Sequence, residues 1–557
     1  MTSSTTPRFA ASERLLSRRG LLAGSASLGA VAALGATAGC APSTTSPTEP
    51  GGPGADGAAT LPSFVAYEGV KPDLPALENG TSAFFESVPS EMATFLSEKP
   101  GTGGDVSALT IVNNALVPVE KNPFWQAVNE MLGVNLAFNG ASVGDYPNKF
   151  QTIMAGGELP DVCLVLPTLT PQLPALLEAK FADLSEYLSG DNVKDYPGLA
   201  NIPSQQWVGG VFGPKIQLIP SPRLPLFRVY LVRADIAEQR GVNPAPRNGD
   251  ELMELMAGLT DKKNHQYSTF QALGMVDMVN EMLGTPNVWG VEGGKFTRNY
   301  ETETFAQALD FVAQAWKNGY LHPESFSSDI KTKVDMLYST GQAPLLPATP
   351  NWAGLASGAK KVDPAAETAA IRLPSFDGSA PSVKRWLGAG TPYRIGIPKA
   401  SPERVQELLR VISALAAPFG TKEYMVAKYG VEGTDYNVAN GVITPTESYG
   451  VNRLSPLVYV GAPATVHFGG VAPAEARAEY EQEKQDMDAT VAQAHIGLVS
   501  ETALKKAASL DTVMVDAMTG VIQGRMSQAQ WAEAVADWRR KGGDEMRAEF
   551  EAAFAAA

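Results

Sequence analysis

Apolar residues between positions 108 and 166 switch between two spacings. The run ALTIV at 108–112 is short and continuous, which predicts a strand. Trp125, Val128, Met131 and Leu132 then recur at helical spacing on one face, behind Asn122 as N-cap and Pro123 as first helical residue, and Gly133 ends the helix. VNLAF from Val134 predicts a second strand, YPNKFQTIMAGG a short helix stopped by Gly156 and Gly157, and DVCLVL from Asp161 a third strand, apolar almost throughout. A β-α-β-α-β order with such a strand predicts an α/β fold, its parallel sheet covered by helices on both faces. The alternation continues past residue 175. Ser401 and Pro402 open the helix ERVQELLRVISALAA, and from Pro473 onward the pattern is almost wholly helical, with Trp531 and Trp538 spaced by seven as a packed seam.

The pattern at the start of the chain is different. In LLSRRGLLAGSASLGAVAALGATAGC, residues 15–40, no charge falls between Gly20 and Gly39, and Arg18 and Arg19 stand directly before. Leu21, Leu22, Leu28, Val31 and Leu34 are its only large apolar residues after that pair, so the run is a weak membrane span and reads as a secretory signal over residues 1–39. APSTTSPTEPGGPGADGAAT follows Cys40 and has no apolar face to bury, which predicts a flexible tether over residues 40–65. SRRGLL resembles a twin-arginine export signal, with Leu21 where Phe is usual. TAGC resembles a bacterial lipobox, with Thr37 where Leu is usual. The resemblance implies acylation of Cys40 and an exported protein held by lipid to the outer face of the cytoplasmic membrane.

Composition fits export. Two cysteines in 557 residues leave Cys163 without a disulfide partner if Cys40 is acylated, and Cys163, within VCLVL, reads as a small buried thiol. Removing residues 1–39 leaves 40 basic against 58 acidic residues, a net charge of −18 that repels nucleic acid and anionic headgroups. Roughly 490 residues beyond the tether exceed one core and imply two or more lobes.

Chemistry is sparse. The four histidines (His265, His322, His467, His495) have no metal-ligand spacing, and Gly294-Lys295 lacks the glycine of a phosphate loop, so no metal or cofactor is expected. GASVG at 140–144 satisfies the nucleophile-elbow pattern at Ser142, but Asp145 and Pro147 delay the helix that must follow at once. Paired carboxylates for glycoside hydrolysis remain possible among so many acidic residues, which keeps an exported glycoside hydrolase as the second reading.

Longer motifs carry a family resemblance. NPFWQAVNEMLGVNLAFNGASVGDYPNKFQTIMAGGELPDVCLV at 122–165 is similar to the opening lobe of extracellular solute-binding proteins of the carbohydrate type, including Gly157, Pro160 and Asp161 of their Gly-x-x-Pro-Asp layout. VYLVRADIAEQRGVNPAP at 229–246, LDFVAQAWKNGYLHPESF, GQAPLLPATPNWAG at 341–354 and YGVEGTDYNV at 429–438 resemble later family segments in the same order, the last of them a motif of members that take larger oligosaccharides. Where some of those members carry a calcium loop, this chain has TDKKNHQYSTF, with Asp261 and Asn264 at the wrong spacing, and no calcium is expected there.

The resemblance implies a two-lobed periplasmic-binding-protein fold, type II-like, each lobe a mostly parallel sheet flanked by helices, with crossings between lobes and a helical C-terminal part. Lobe 1 is expected over 105–222 and 375–450, lobe 2 over 223–374 and 451–557. It implies a monomeric binding protein, not an enzyme, that captures an oligosaccharide between the lobes and delivers it to the membrane permease subunits of an ABC importer. A receptor for a non-sugar solute such as a peptide is a further alternative. Sugars need aromatic plates and fixed polar groups. The plates expected are Trp207, Trp289, Trp352, Trp386, Tyr393 and Tyr436, all in or near loops, with Trp352 at the family's contact position and in an exposed loop. The polar candidates are Asn113 and Asn114, past the carboxyl end of the first strand, and Arg223 in a crossing. Arg385 and Arg394 flank Trp386 and Tyr393 and are expected on a solvated surface, with the reading of an acidic sugar as the alternative role.

Overall fold

Strand Asp105–Ile111 pairs in parallel with Asn135–Ala141 on one side and Val162–Val165 on the other. Arg394–Gly396 joins antiparallel to Val162–Val165 and to Ile219–Pro220, completing a five-stranded sheet in which four strands run the same way. These contacts come from a computed structural model, which describes residues 59–556 except 171, 328–332, 389–392 and 471. The export signal, Cys40 and the tether to residue 58 lie outside the described residues.

The local signals act as their chemistry requires. The Asn122 side chain accepts from the Trp125 amide, Pro123 opens helix Pro123–Leu132, and Gly133 closes it at φ 65°, a left-handed conformation that only glycine adopts without strain. Ser401 caps Pro402–Leu415 by accepting from the Arg404 amide. That helix buries Val405, Leu408, Leu409 and Ile412 in the first-lobe core, beside Val128, Leu132 and Ile395. Cys163 sits on the other face of the sheet, fully buried, where desolvation pushes its thiol up to about 12.

The second lobe has its own core. Its three-stranded sheet has Val229–Arg233 at the centre, with Leu345–Ala348 and Thr368–Ala370 on either side. Both pairings are antiparallel, which corrects the expectation of a mostly parallel sheet in this lobe. The outer strands run parallel to each other and are linked over the central one through helix Ala353–Val362, so the crossover skips a strand. Helices Ala272–Met282, Glu303–Lys317, Glu501–Ile522, Gln528–Trp538 and Asp544–Ala556 complete the lobe. Trp531 stacks on Phe305 at 5.6 Å and 7°, and Trp538 meets Trp289 at 5.9 Å, so the tryptophans spaced by seven form a packed seam.

Two boundaries differ from expectation. Ile371, Leu373 and Trp386 belong to the second lobe and Ile395 to the first, while Leu454, Leu457 and Val460 still belong to the first. The cores therefore divide the chain between Leu387 and Arg394 and again beyond Val460, later than 374/375 and 450/451. The tether also ends earlier than residue 65. The Ser63 amide donates to the Gly190 carbonyl at 2.9 Å, the Val65 amide donates to the Ala200 carbonyl at 2.8 Å, and Leu61 packs on the first-lobe core.

Candidate functional site

The two crossings run side by side. The Phe227 amide donates to the Trp386 carbonyl at 2.9 Å and the Gly388 amide to the Pro225 carbonyl at 2.9 Å. A third segment is tied in where the Ser221 hydroxyl donates to the Val458 carbonyl at 2.9 Å. Because Pro220 and Val165 both register with Arg394, these crossings leave the first-lobe sheet at the carboxyl ends of Val162–Val165 and Ile219–Pro220. That edge is where open α/β sheets hold ligands.

Two expected residues, Arg223 and Tyr393, meet here with one that was not expected, Tyr459. The Arg223 guanidinium lies 5.2 Å from the centre of the Tyr393 ring, and Tyr393 meets Tyr459 edge-on at 4.9 Å. Arg223 donates to the Pro222 carbonyl at 2.9 Å, and its backbone amide donates to Gln206 Oε1 at 3.3 Å. Burial lowers its pKa from the ordinary guanidinium value. Asn113 is exposed just past Ile111, its side chain accepting from the Val143 amide at 3.0 Å, and Asn114 beside it is also exposed. Tyr459 carried no sequence signal, because PLVYVG reads as an apolar run.

On the second-lobe side, Phe227 is 36% exposed and lies 6.3 Å from the Trp386 ring. Both border a cavity that Asp277, Asn287 and Gln493 also line. Arg228 sits 4.8 Å over Phe227 and its Nε donates to Asp277 at 3.0 Å. Burial raises the Asp277 carboxyl to about 6 against the opposing pull of Arg228. Trp386 itself is buried, its indole donating to the Thr285 carbonyl at 3.1 Å.

Several expected plates have no open ring face. Trp207 is fully buried in the first-lobe core, carried there by the short helix Ser204–Gly210. Trp289 packs among Phe296, Trp538 and Phe550. Tyr436 starts a hairpin strand and packs with Phe85 and Phe419. Trp352 does follow a strand and loop at the expected place, but it is 3% exposed, not in an open loop. Its indole belongs to the small core of Leu226, Phe270 and Leu346, because Ala353–Val362 starts immediately after it and turns the ring inward.

The two arginines expected in solvent are also buried. Arg385 is held by Glu281 and Asp486. Arg394 packs its guanidinium where Gly209 has no side chain, since a Cβ there would lie 1.7 Å from Nη2, and burial lowers its pKa to about 10. Asp261 caps a short turn by accepting from Lys263 and Asn264. Ser142 donates to Asp145 at 2.6 Å. Among the described residues, no group of three potential metal ligands occurs and no helix is long and apolar enough to cross a membrane.

The arrangement of two cores joined by paired crossings agrees with the family and fold that known proteins indicate. The family model described as bacterial extracellular solute-binding protein matches residues 119–418. Lipoprotein LipO of Bacillus subtilis (strain 168) is 23% identical over 461 residues, covering 77% of this chain and 88% of LipO. The polygalacturonan/rhamnogalacturonan-binding protein YtcQ of the same organism is 23% identical over 436 residues, covering 73% and 83%. Among solved structures, alginate-binding protein AlgQ2 without calcium superposes with a TM-score of 0.61 at 17% identity, covering 83% of this chain and 100% of AlgQ2. The N-glycan transport solute-binding protein NgtS of Streptococcus pneumoniae superposes at 0.57 and 14% identity, covering 81% and 98%. At such identities the superpositions establish a common fold.

Proposed function

The chain belongs to the bacterial extracellular solute-binding proteins, and on that premise we propose that it captures an oligosaccharide between its lobes and hands it to the permease subunits of an ABC importer, held at the membrane through an acylated Cys40. One observation carries the proposal. Where the two crossings and the third segment meet, the first lobe presents Arg223 with Tyr393 and Tyr459, and the second presents Phe227 backed by the buried Trp386. Sugar rings offer apolar C–H faces and many hydroxyls, and this mixture of partly open rings with fixed donors suits both. The names of LipO, YtcQ, AlgQ2 and NgtS, a lipoprotein and three glycan binders, agree with anchoring and with a glycan ligand.

A thermal-shift screen of purified protein against mono- and oligosaccharides tests the reading. A ligand at 100 times its Kd adds about 2.7 kcal/mol to the folded state, a shift of a few degrees. The glycan recovered afterwards is expected intact. Its conversion to shorter sugars would make the protein a hydrolase instead.

A further inference from the structure

Two cations beside the crossings are matched by carboxylates: Arg228 to Asp277 at 3.0 Å and Arg385 to Glu281 at 2.9 Å. Arg223, Lys428 and Arg453 are different. Among the described residues, none of the three has an acidic oxygen within 4.0 Å.

Neighbouring segments carry them: the Ser221 hydroxyl, two residues before Arg223, donates to the Val458 carbonyl, five residues after Arg453. Arg453 lies 5.7 Å over the ring of Tyr449, whose hydroxyl donates to the Lys428 carbonyl at 3.3 Å. Crowding by the surrounding protein, then the like charges of Arg453 and Arg223, lower the Lys428 ammonium from its ordinary pKa. Partly open rings alternate with the charges: Tyr393 and Tyr459 beside Arg223, Tyr429 and Tyr449 beside Lys428 and Arg453. Three neighbouring like charges repel one another, and in a chain with 59 acidic residues against 44 basic ones carboxylates to neutralise them are abundant. An anion supplied from outside relieves that repulsion, and a guanidinium presents donors that match a carboxylate or sulfate in pairs.

We infer that the cleft takes an anionic oligosaccharide, one bearing carboxylate or ester sulfate groups, and that Arg223, Lys428 and Arg453 are the subsite that reads its charge. The inference rests on the oligosaccharide reading of the same cleft. Tyrosine rings beside cations offer a sugar chain both apolar surface and counter-charge, and a neutral glycan has no need of the second.

Titration calorimetry of the full chain with three trisaccharides tests it: trigalacturonate, its carboxyl-reduced neutral counterpart, and a sulfated trisaccharide. At least one anionic sugar is expected to bind about tenfold or more tighter than the neutral one, the worth of a charge-assisted hydrogen bond. Which of the two binds assigns carboxylate or sulfate. Arg223→Gln and Arg453→Gln should each shrink the anionic preference about tenfold, while Lys361→Gln, a remote exposed position, changes nothing. Arg453 is exposed, so its replacement does not threaten the fold. A neutral trisaccharide bound as tightly as the anionic ones overturns the inference and leaves sugar capture standing. Binding of no glycan in this set or in the wider screen overturns both.

Discussion

The Arg385 guanidinium donates to Glu281 Oε2 at 2.9 Å in a site almost closed to water, and the same oxygen accepts the backbone amide of Trp386 at 2.9 Å. The other oxygen accepts from the Tyr230 hydroxyl at 2.7 Å. One carboxylate thus fixes the strand that carries Trp386, the buried ring beneath Phe227. Glu281→Ala leaves a buried guanidinium short of a counter-charge and two donors without an acceptor, and should cost roughly 3–5 kcal/mol. Urea unfolding measures it, and a midpoint equal to that of the unsubstituted protein would refute the assignment.

His467 gives the fold a pH dependence. Its ring nitrogens lie 2.7 Å from Glu479 and 2.8 Å from Glu483. Burial works to lower its pKa, but the two carboxylates outweigh it and hold the imidazolium to about 9. The folded pKa is above the unfolded one, so the stabilisation is whole below about pH 6.5 and is lost as pH rises through 9. Unfolding free energy should fall by on the order of 3 kcal/mol across that window. Urea titrations from pH 6 to 9.5 should show the slope, and His467→Gln should flatten it.

Trp352 is a packing residue first. Its indole is 3% exposed among Leu226, Phe270 and Leu346. Trp352→Ala should therefore cost roughly 3–5 kcal/mol of stability, as truncation of a core aromatic does. Melts and calorimetry on one sample separate the roles: weaker sugar binding without loss of stability would return Trp352 to the cleft wall.

Tyr459 is expected to act on ligand. It is partly open and touches Tyr393 edge-on. Tyr459→Ala should weaken glycan binding about ten- to a hundredfold, the range for an anchoring aromatic. Calorimetry with the best ligand of the screen decides it.

Anchoring has its own test. Cys40→Ala should shed the protein into the medium or leave uncleaved precursor, because acyl chains are the proposed tie to the membrane. Cell fractionation followed by blotting reads the outcome, and unchanged membrane retention of a processed chain would refute it.

Helix ends and the first-lobe strands were legible because their causes are local. Asn122, Pro123 and Gly133 act within a few residues of themselves, and the apolar run at 161–166 announces a strand buried on both faces. The cleft was less legible because its causes are distant. Trp207 and Trp352 stand beside loops in the sequence, yet their burial depends on elements packed from elsewhere in the chain. Arg385 looks like a surface cation until Glu281, 104 residues away, meets it. Lys428 and Arg453 come near Arg223 only once the third segment has folded back on the crossings. The antiparallel sheet of the second lobe was hidden for a related reason, since a strand's direction is set by its neighbours and not by its own residues.

The bonds from Ser63 and Val65 to Gly190 and Ala200 determine where tension enters the molecule. A pull on the chain upstream of residue 59 is taken up first by the lobe with the five-stranded sheet, and reaches the other lobe only afterwards. For a chain held at its upstream end, that first lobe is the stationary jaw and the second the swinging one, so thermal agitation at a surface would open and shut the cleft by moving the half that bears Phe227 and Trp386.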